Sequence, residues 1–121
     1  MPLRSRLFAG DRRLEACLVD DKAHLTQGTR GEFVSKVHTA LFLVDGLNVD
    51  AAELKAQLYG RSTAQAVLAY KRRRHIVNLS YQHTEDDIVG KMTIASLDNE
   101  VALHEIRPAD VPLAPQNKAF F

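Results

Sequence analysis

The chain holds a single cysteine, Cys17, which excludes an intramolecular disulfide framework. That thiol is expected to be a small buried hydrophobe. Long apolar runs are missing too. No stretch approaches the roughly 20 apolar residues of a transmembrane helix, so membrane insertion is not expected. After Arg4 and Arg6 the core of a Sec signal never develops, because Gly10, Asp11, Arg12 and Arg13 interrupt it. Charge of one sign is also lacking. Sixteen Lys and Arg against fifteen Asp and Glu leave a formal net charge of +1, so no global field draws the chain to nucleic acid or an anionic membrane. Proline is scarce in the body and gathers late, as Pro108, Pro112 and Pro115. The segment after Ile106 is therefore predicted to be extended or disordered.

Metal-ligand spacing is absent as well. His24, His38, His75, His83 and His104 include no pair four apart around an acid, the pattern of a zinc-hydrolase helix. No metal, cofactor or enzymatic activity is expected. At 121 residues with ordinary apolar and charged fractions, the sequence describes a single soluble domain that binds through a local site.

What is present is a repeated helix start. Tyr59-Gly60-Arg61-Ser62-Thr63 leads to Val67, and Val89-Gly90-Lys91-Met92-Thr93 leads to Leu97. An apolar residue precedes each glycine and a basic residue follows it. A threonine stands three places on, and an aliphatic residue four places beyond lies on the same helical face. Glycine lets a second segment approach closely at each start. Upstream, Gly28-Thr29-Arg30-Gly31-Glu32 precedes Val34, Val37, Leu41 and Val44, one apolar helical stripe.

These signals predict an all-α fold, a compact three-helix bundle. Residues 1–27 are read as a wrapping segment with a short helical turn through Leu14, Cys17 and Leu18 and an extended piece at Ala23-His24-Leu25. Residues 28–105 form the helical domain, and 106–121 the tail. The first helix spans about Arg30–Asp45, opened by a Thr29/Glu32 capping box and closed at Gly46. Asp50 to Leu58 is either a short extra helix, capped by Asp50, or a lid loop. Ser62 and Gln65 form a second capping box, and that helix ends in Lys71-Arg72-Arg73-Arg74-His75, cations suited to a helix C-terminus. Ile76 to Asp87 reads as a loop with a short strand at Ile76-Val77-Asn78-Leu79. The third helix runs from about Lys91 to Leu97 or on to Glu105.

The order Gly28-x-x-Gly31-x-x-Val34-x-x-Val37-x-x-x-Leu41, Asp45-Gly46, Tyr59-Gly60-x-x-Thr63-x-x-Ala66-Val67-x-x-Tyr70-Lys71 and Ile88-Val89-Gly90-x-x-Thr93-x-x-x-Leu97 resembles the peptidoglycan-binding domain-like family, the three-helix module found on cell-wall hydrolases. The likeness covers about Gly28 to Leu97. It departs at Val37-His38, where the family usually has an apolar residue and glutamine, and at Tyr70-Lys71, where it usually has phenylalanine and glutamine. The inter-helix segments are also longer than usual. The resemblance implies a compact helical module that docks on peptidoglycan without cutting it, here as a stand-alone binder. Lacking a Sec signal, the chain is expected to be cytoplasmic as made and to reach the periplasm or exterior by a non-Sec route, such as a type VI-like secretion system or phage-type lysis.

Within that reading the groove is expected between the Tyr59–Thr63 and Ile88–Thr93 segments. Arg61 and Lys91 either extend into water or flank a stem-peptide carboxylate, each beside free helix-start amides. Tyr59, Tyr81 and Gln82 are candidates to face a sugar, with Tyr59 read first as core because it occupies the apolar slot before glycine. The Lys71–Arg74 run is a phosphate-binding patch or a helix terminus. His83-Thr84-Glu85-Asp86-Asp87 is a cation loop or a solvated acidic loop. Cys17 with His24, and Asp20, Asp21 or Asp45 to orient it, would be the parts of a thiol hydrolase, without a flanking signature. A second class of function is a cytoplasmic interaction adaptor of a secretion or toxin system, with Phe120 and Phe121 as anchors.

Overall fold

Val34, Val37, Ala40 and Leu41, with His38 beside them, bury the inner face of α2 (Glu32–Asp45). In the computed structural model α2 lies against α4 (Arg61–Arg74) and α5 (Lys91–Asp110). The fold is all-α and built around these three helices. The structure describes residues 3–77 and 84–110, with side chains to residue 106. Among the described residues there are two further helices, α1 (Arg12–Val19) and α3 (Ala51–Ala56), a 3-10 turn at Asp21–Ala23, and two isolated β-bridges but no strand.

α1 is longer than the single turn predicted from Leu14, Cys17 and Leu18. Its starter is Asp11, whose carboxylate accepts from the Arg13 and Leu14 amides at 3.0 and 3.1 Å and so satisfies two donors that a helix start leaves open. Leu14 and Cys17 are buried, and α1 packs on α5. The wrapping segment before it is held by acids of α5. Asp98 accepts from the Arg4 and Ser5 amides, and Glu105 from those of Arg6 and Leu7, while Leu3 and Phe8 enter the core.

Helix starts and ends depart from the sequence reading in instructive ways. The Thr29/Glu32 capping box does not form, because the chain stays extended through Arg30, which bridges to Leu58. The N-cap is Gly31 at φ 144°, a conformation that favours glycine, and Thr29 Oγ1 accepts from the Thr26 amide instead. Gly46 ends α2 in the left-handed conformation, as predicted. The segment after Asp50 is helical, but Asp50 makes no side-chain cap bond. Ser62 and Gln65 do not cap α4, whose N-cap is Gly60; Ser62 Oγ accepts from the Asp50 amide at 2.9 Å. α5 continues past Ile106 to Asp110, against the predicted break, with Pro108 in its last turn. Ile76 and Val77 form no strand; Asn78, Leu79 and residues 111–121 lie outside the described residues.

The basic run at the end of α4 is partly internal. Arg74 places its guanidinium between Asp45 of α2, at 2.8 Å through both NH groups, and Glu100 of α5, stacked 3.8 Å over the Tyr70 ring. Tyr70 in turn shares a 2.7 Å hydrogen bond with Ser96, the partner its hydroxyl requires when buried. Lys71 is buried as well. With two of its four cations turned inward, the run is not one exposed patch.

Candidate functional site

The two repeated helix starts are built alike. Before α4, Tyr59 pairs with the upstream chain, its N–H donating to Thr29 O and its carbonyl accepting from Gly28 N, both at 2.8 Å. Before α5, Val89 exchanges both backbone bonds with Leu25, at 2.9 and 3.0 Å. Tyr59 and Val89 are fully buried, so each glycine follows an apolar anchor fastened to the N-terminal segment. Of the extended piece read at Ala23-His24-Leu25, His24 and Leu25 are extended, while Ala23 closes the 3-10 turn.

Beyond the anchors the starts diverge. At α4 the carboxylate of Glu53, sent back from α3, accepts from the amides of Gly60 (3.0 Å), Ser62 (2.9 Å) and Thr63 (2.9 Å) and from the Thr63 hydroxyl (2.7 Å). Burial raises the Glu53 pKa, but the bonds from Thr63 and Ser62 outweigh it and hold the group at about 2. The first turn of α4 therefore carries its own anion. An outside carboxylate approaching Arg61 would meet the exposed guanidinium without those amides.

Gly60 is required by this arrangement for space rather than for backbone freedom, since its φ of −103° suits any residue. A Cβ there would stand 2.5 Å from Glu53 Cδ. Gly60→Ala is expected to lower stability by about 1–3 kcal/mol in urea denaturation, the range for overpacking a filled site.

At α5 no carboxylate among the described residues fills the equivalent place. Among the described residues, the amides of Lys91, Met92 and Thr93 have no acceptor, as expected of an uncapped first turn. The residues that carry them line a cleft of about 280 Å³, together with Gly90, Asp20, Asp21, His24, Lys71, Ile76, Asp86 and Ile88. Lys91 stands at its mouth, 3.3 Å from Asp21, both side chains substantially exposed. The floor is fixed by Lys71, whose ammonium donates to Asp86 Oδ1 at 2.6 Å and to the Ile88 carbonyl at 2.8 Å. Asp86 also accepts from the Ile88 amide. The ion pair thus ties the end of α4 to the approach to α5.

The expected groove is therefore half present. Ile88–Thr93 forms one wall, but the other consists of the 20–24 segment and the end of α4, not Tyr59–Thr63. Tyr59 is core rather than a ligand contact. It is fully buried, and its hydroxyl donates to the Asp87 carbonyl. Burial, then the nearby Asp87 and Asp86 charges, push its pKa far above the usual tyrosine range. Thr63 and Thr93 are both buried, yet in different surroundings: Thr63 belongs to the Glu53 network, and Thr93 lines the cleft. Of the candidate residues, Lys91 lines the cleft and Arg61 does not; Tyr81 and Gln82 lie outside the described residues.

The remaining candidates resolve by burial and pairing. Cys17 is fully buried beside the Val89 carbonyl, and burial pushes its thiol to about 11 against a smaller pull from Arg13. A thiolate nucleophile is disfavoured there. His83 is outside the described residues, and Asp86 is already committed to Lys71. Among the described residues no three His, Cys, Asp or Glu side chains are placed to hold a metal. No helix of the described chain is long and apolar enough to cross a membrane.

No family model matches the chain, and no curated protein or solved structure matches it.

The sequence reading missed Glu53, and it gave Lys71, Asp20 and Asp21 other roles. Glu53 carries a faint signal, a carboxylate seven residues before the glycine of a Gly-x-x-Thr start. The Asp20–Asp21 wall carries none, since it meets Lys91 only through folding.

Proposed function

We propose that this chain is a non-catalytic module that binds peptidoglycan, with the cleft at the start of α5 taking a carboxylate of the stem peptide. One observation carries the reading: two helix starts share one construction, and while α4 is closed by Glu53, α5 opens on a cleft with first-turn amides that have no acceptor among the described residues, and with Lys91 beside them. Helix-start amides and an adjacent cation are the donors a carboxylate takes. The acids Asp20 and Asp21 across the cleft favour a ligand that also carries an amino group, as stem peptides do.

Size argues for peptide over glycan. At about 280 Å³ the cleft lies at the lower edge of small-ligand sites, room for the end of a peptide rather than a run of sugar rings. A lone site of this kind binds weakly, and a repeating polymer supplies the avidity. The resemblance of residues 28–97 to the peptidoglycan-binding domain-like family supports the same ligand.

Co-sedimentation with purified sacculi tests this. Wild-type chain is expected in the pellet, Lys91→Glu is expected to lose most of that retention, and Arg61→Ala is expected to keep it. Equal retention of wild type and Lys91→Glu would remove Lys91 from the site. No retention of either would favour the adaptor reading, for which Phe42 on α2 and Leu103 and Ile106 on α5 supply exposed apolar side chains.

A further inference from the structure

His38 is buried on α2 and takes no part in the cleft. Its Nε2 lies 2.8 Å from Thr63 Oγ1, and that hydroxyl also lies 2.7 Å from Glu53 Oε1 and 3.3 Å from the Leu58 carbonyl. A hydroxyl has one proton, and both of these neighbours can only accept. Thr63 therefore donates to Glu53 and accepts from His38, which fixes the ring as the neutral Nε2–H tautomer. Nδ1 is then a lone pair facing no donor, the one buried side-chain polar atom without a partner among the described residues.

Neutral imidazole tolerates this, since an unmet acceptor costs less than an unmet charged donor. Imidazolium does not, because the second proton would sit on Nδ1 where no acceptor waits. Glu53 on α3 is the charged group that bears on the ring; the neighbours from α4 and from the 57–59 segment, Thr63 and Leu58, do not titrate. Burial lowers the His38 pKa, and the Glu53 charge and the Leu58 carbonyl oppose it more weakly.

We propose that the His38–Thr63–Glu53 chain is a proton-operated latch that holds α2 to the α3–α4 junction, closed while His38 is neutral and released when a proton enters at Nδ1. The sign follows from linkage. A base whose folded pKa lies below its free value of 6.5 leaves the unfolded chain binding more protons, so stability falls as pH drops through 6.5 and levels off below the folded pKa. One such group changes the folding constant by up to about tenfold per pH unit. Release at this joint would loosen the amides that Glu53 holds, at the start of α4, while the α1–α5 packing stays closed.

The test compares the full-length wild type with His38→Gln, which keeps an amide donor for Thr63 and does not titrate. Urea denaturation at pH 7.5 and 5.5 is expected to show the wild-type folding constant falling several-fold further than the variant's, toward that tenfold limit. The exposed histidines are common to both chains and cancel. Hydrogen exchange at pH 5.5 is expected to show lost protection at Ser62 and Thr63 but not at Leu97 and Val101. Should the variant not fold, ring nitrogen shifts of the wild type decide alone, with the Nε2–H form and a midpoint below 6.5 expected for His38. Parallel pH profiles, uniform loss of protection, or a His38 midpoint at or above 6.5 would each overturn the latch.

Discussion

Replacing Glu53 by alanine is expected to remove about 3–4 kcal/mol of folding stability, a large share of the roughly 5–15 kcal/mol that a domain possesses. The figure follows from the carboxylate's descent from 4.5 to about 2, at about 1.4 kcal/mol per unit. Glu53 is only 8% exposed, so little of it is lost to solvent screening. The pH dependence has a definite sign. The folded pKa lies below the unfolded one, so the stabilisation is complete above about 4.5 and is lost as pH falls toward 2. Glu53→Gln, which retains one carbonyl oxygen but not the charge, is expected to lose less than alanine and to flatten the wild-type decline between pH 5 and 2. Urea denaturation across that range checks both. An alanine variant within about 0.5 kcal/mol of wild type would show that the α4 start does not depend on this anion.

Arg74→Met is the other substitution with a large expected effect. Asp45 is held below the usual carboxylate range, first by its hydrogen bond from Arg74 and then by the charges of Arg74 and Arg73, against its own burial. Its side chain is 4% exposed, and among the described residues removing the guanidinium leaves it with the looser contact to Arg73 at 3.8 Å. Breaking a buried pair on one side costs about 3–5 kcal/mol; with Arg74 itself 21% exposed, about 3 kcal/mol is expected. Arg74→Lys is expected to fall between, since an ammonium cannot match the two-pronged bond to Asp45 and lacks the stacking on Tyr70. Thermal or urea denaturation reads the loss, and Asp45→Asn in the Arg74→Met background is expected to recover part of it, because the orphaned charge is then gone.

Much of the architecture is legible from periodicity and glycine. The stripe from Val34 to Leu41, the left-handed stop at Gly46 and the two Gly-x-x-Thr starts locate α2, α4 and α5. Capping was harder to read. Thr29 with Glu32, and Ser62 with Gln65, satisfy a local rule, yet the fold uses longer-range partners that the rule does not see: a backbone bridge from Arg30 to Leu58, and a carboxylate from another helix. A box motif competes with any stronger acceptor that folding delivers, and at α4 Glu53 wins because a charged acceptor takes three amides at once.

The site was legible in part for the same reason. Lys91 and the Ile88–Thr93 wall follow from the cassette. The opposite wall does not, because Asp20, Asp21 and His24 reach it only once the Leu25–Val89 bridge has closed. Tyr59 precedes its glycine as Val89 does, and the shared position signals an anchor. Its aromatic ring alone made it a sugar-facing candidate.

The central claim is that the open start of α5, and not the closed start of α4, receives the ligand. A titration of the isotope-labelled chain with soluble peptidoglycan stem-peptide fragments, followed by amide resonances, tests it most directly. The account expects progressive shifts at Gly90, Lys91, Met92 and Thr93 and across the cleft at Asp21 and His24, with Gly60 to Thr63 unmoved. Shifts centred on Gly60 to Thr63, or none at saturating fragment, would contradict it.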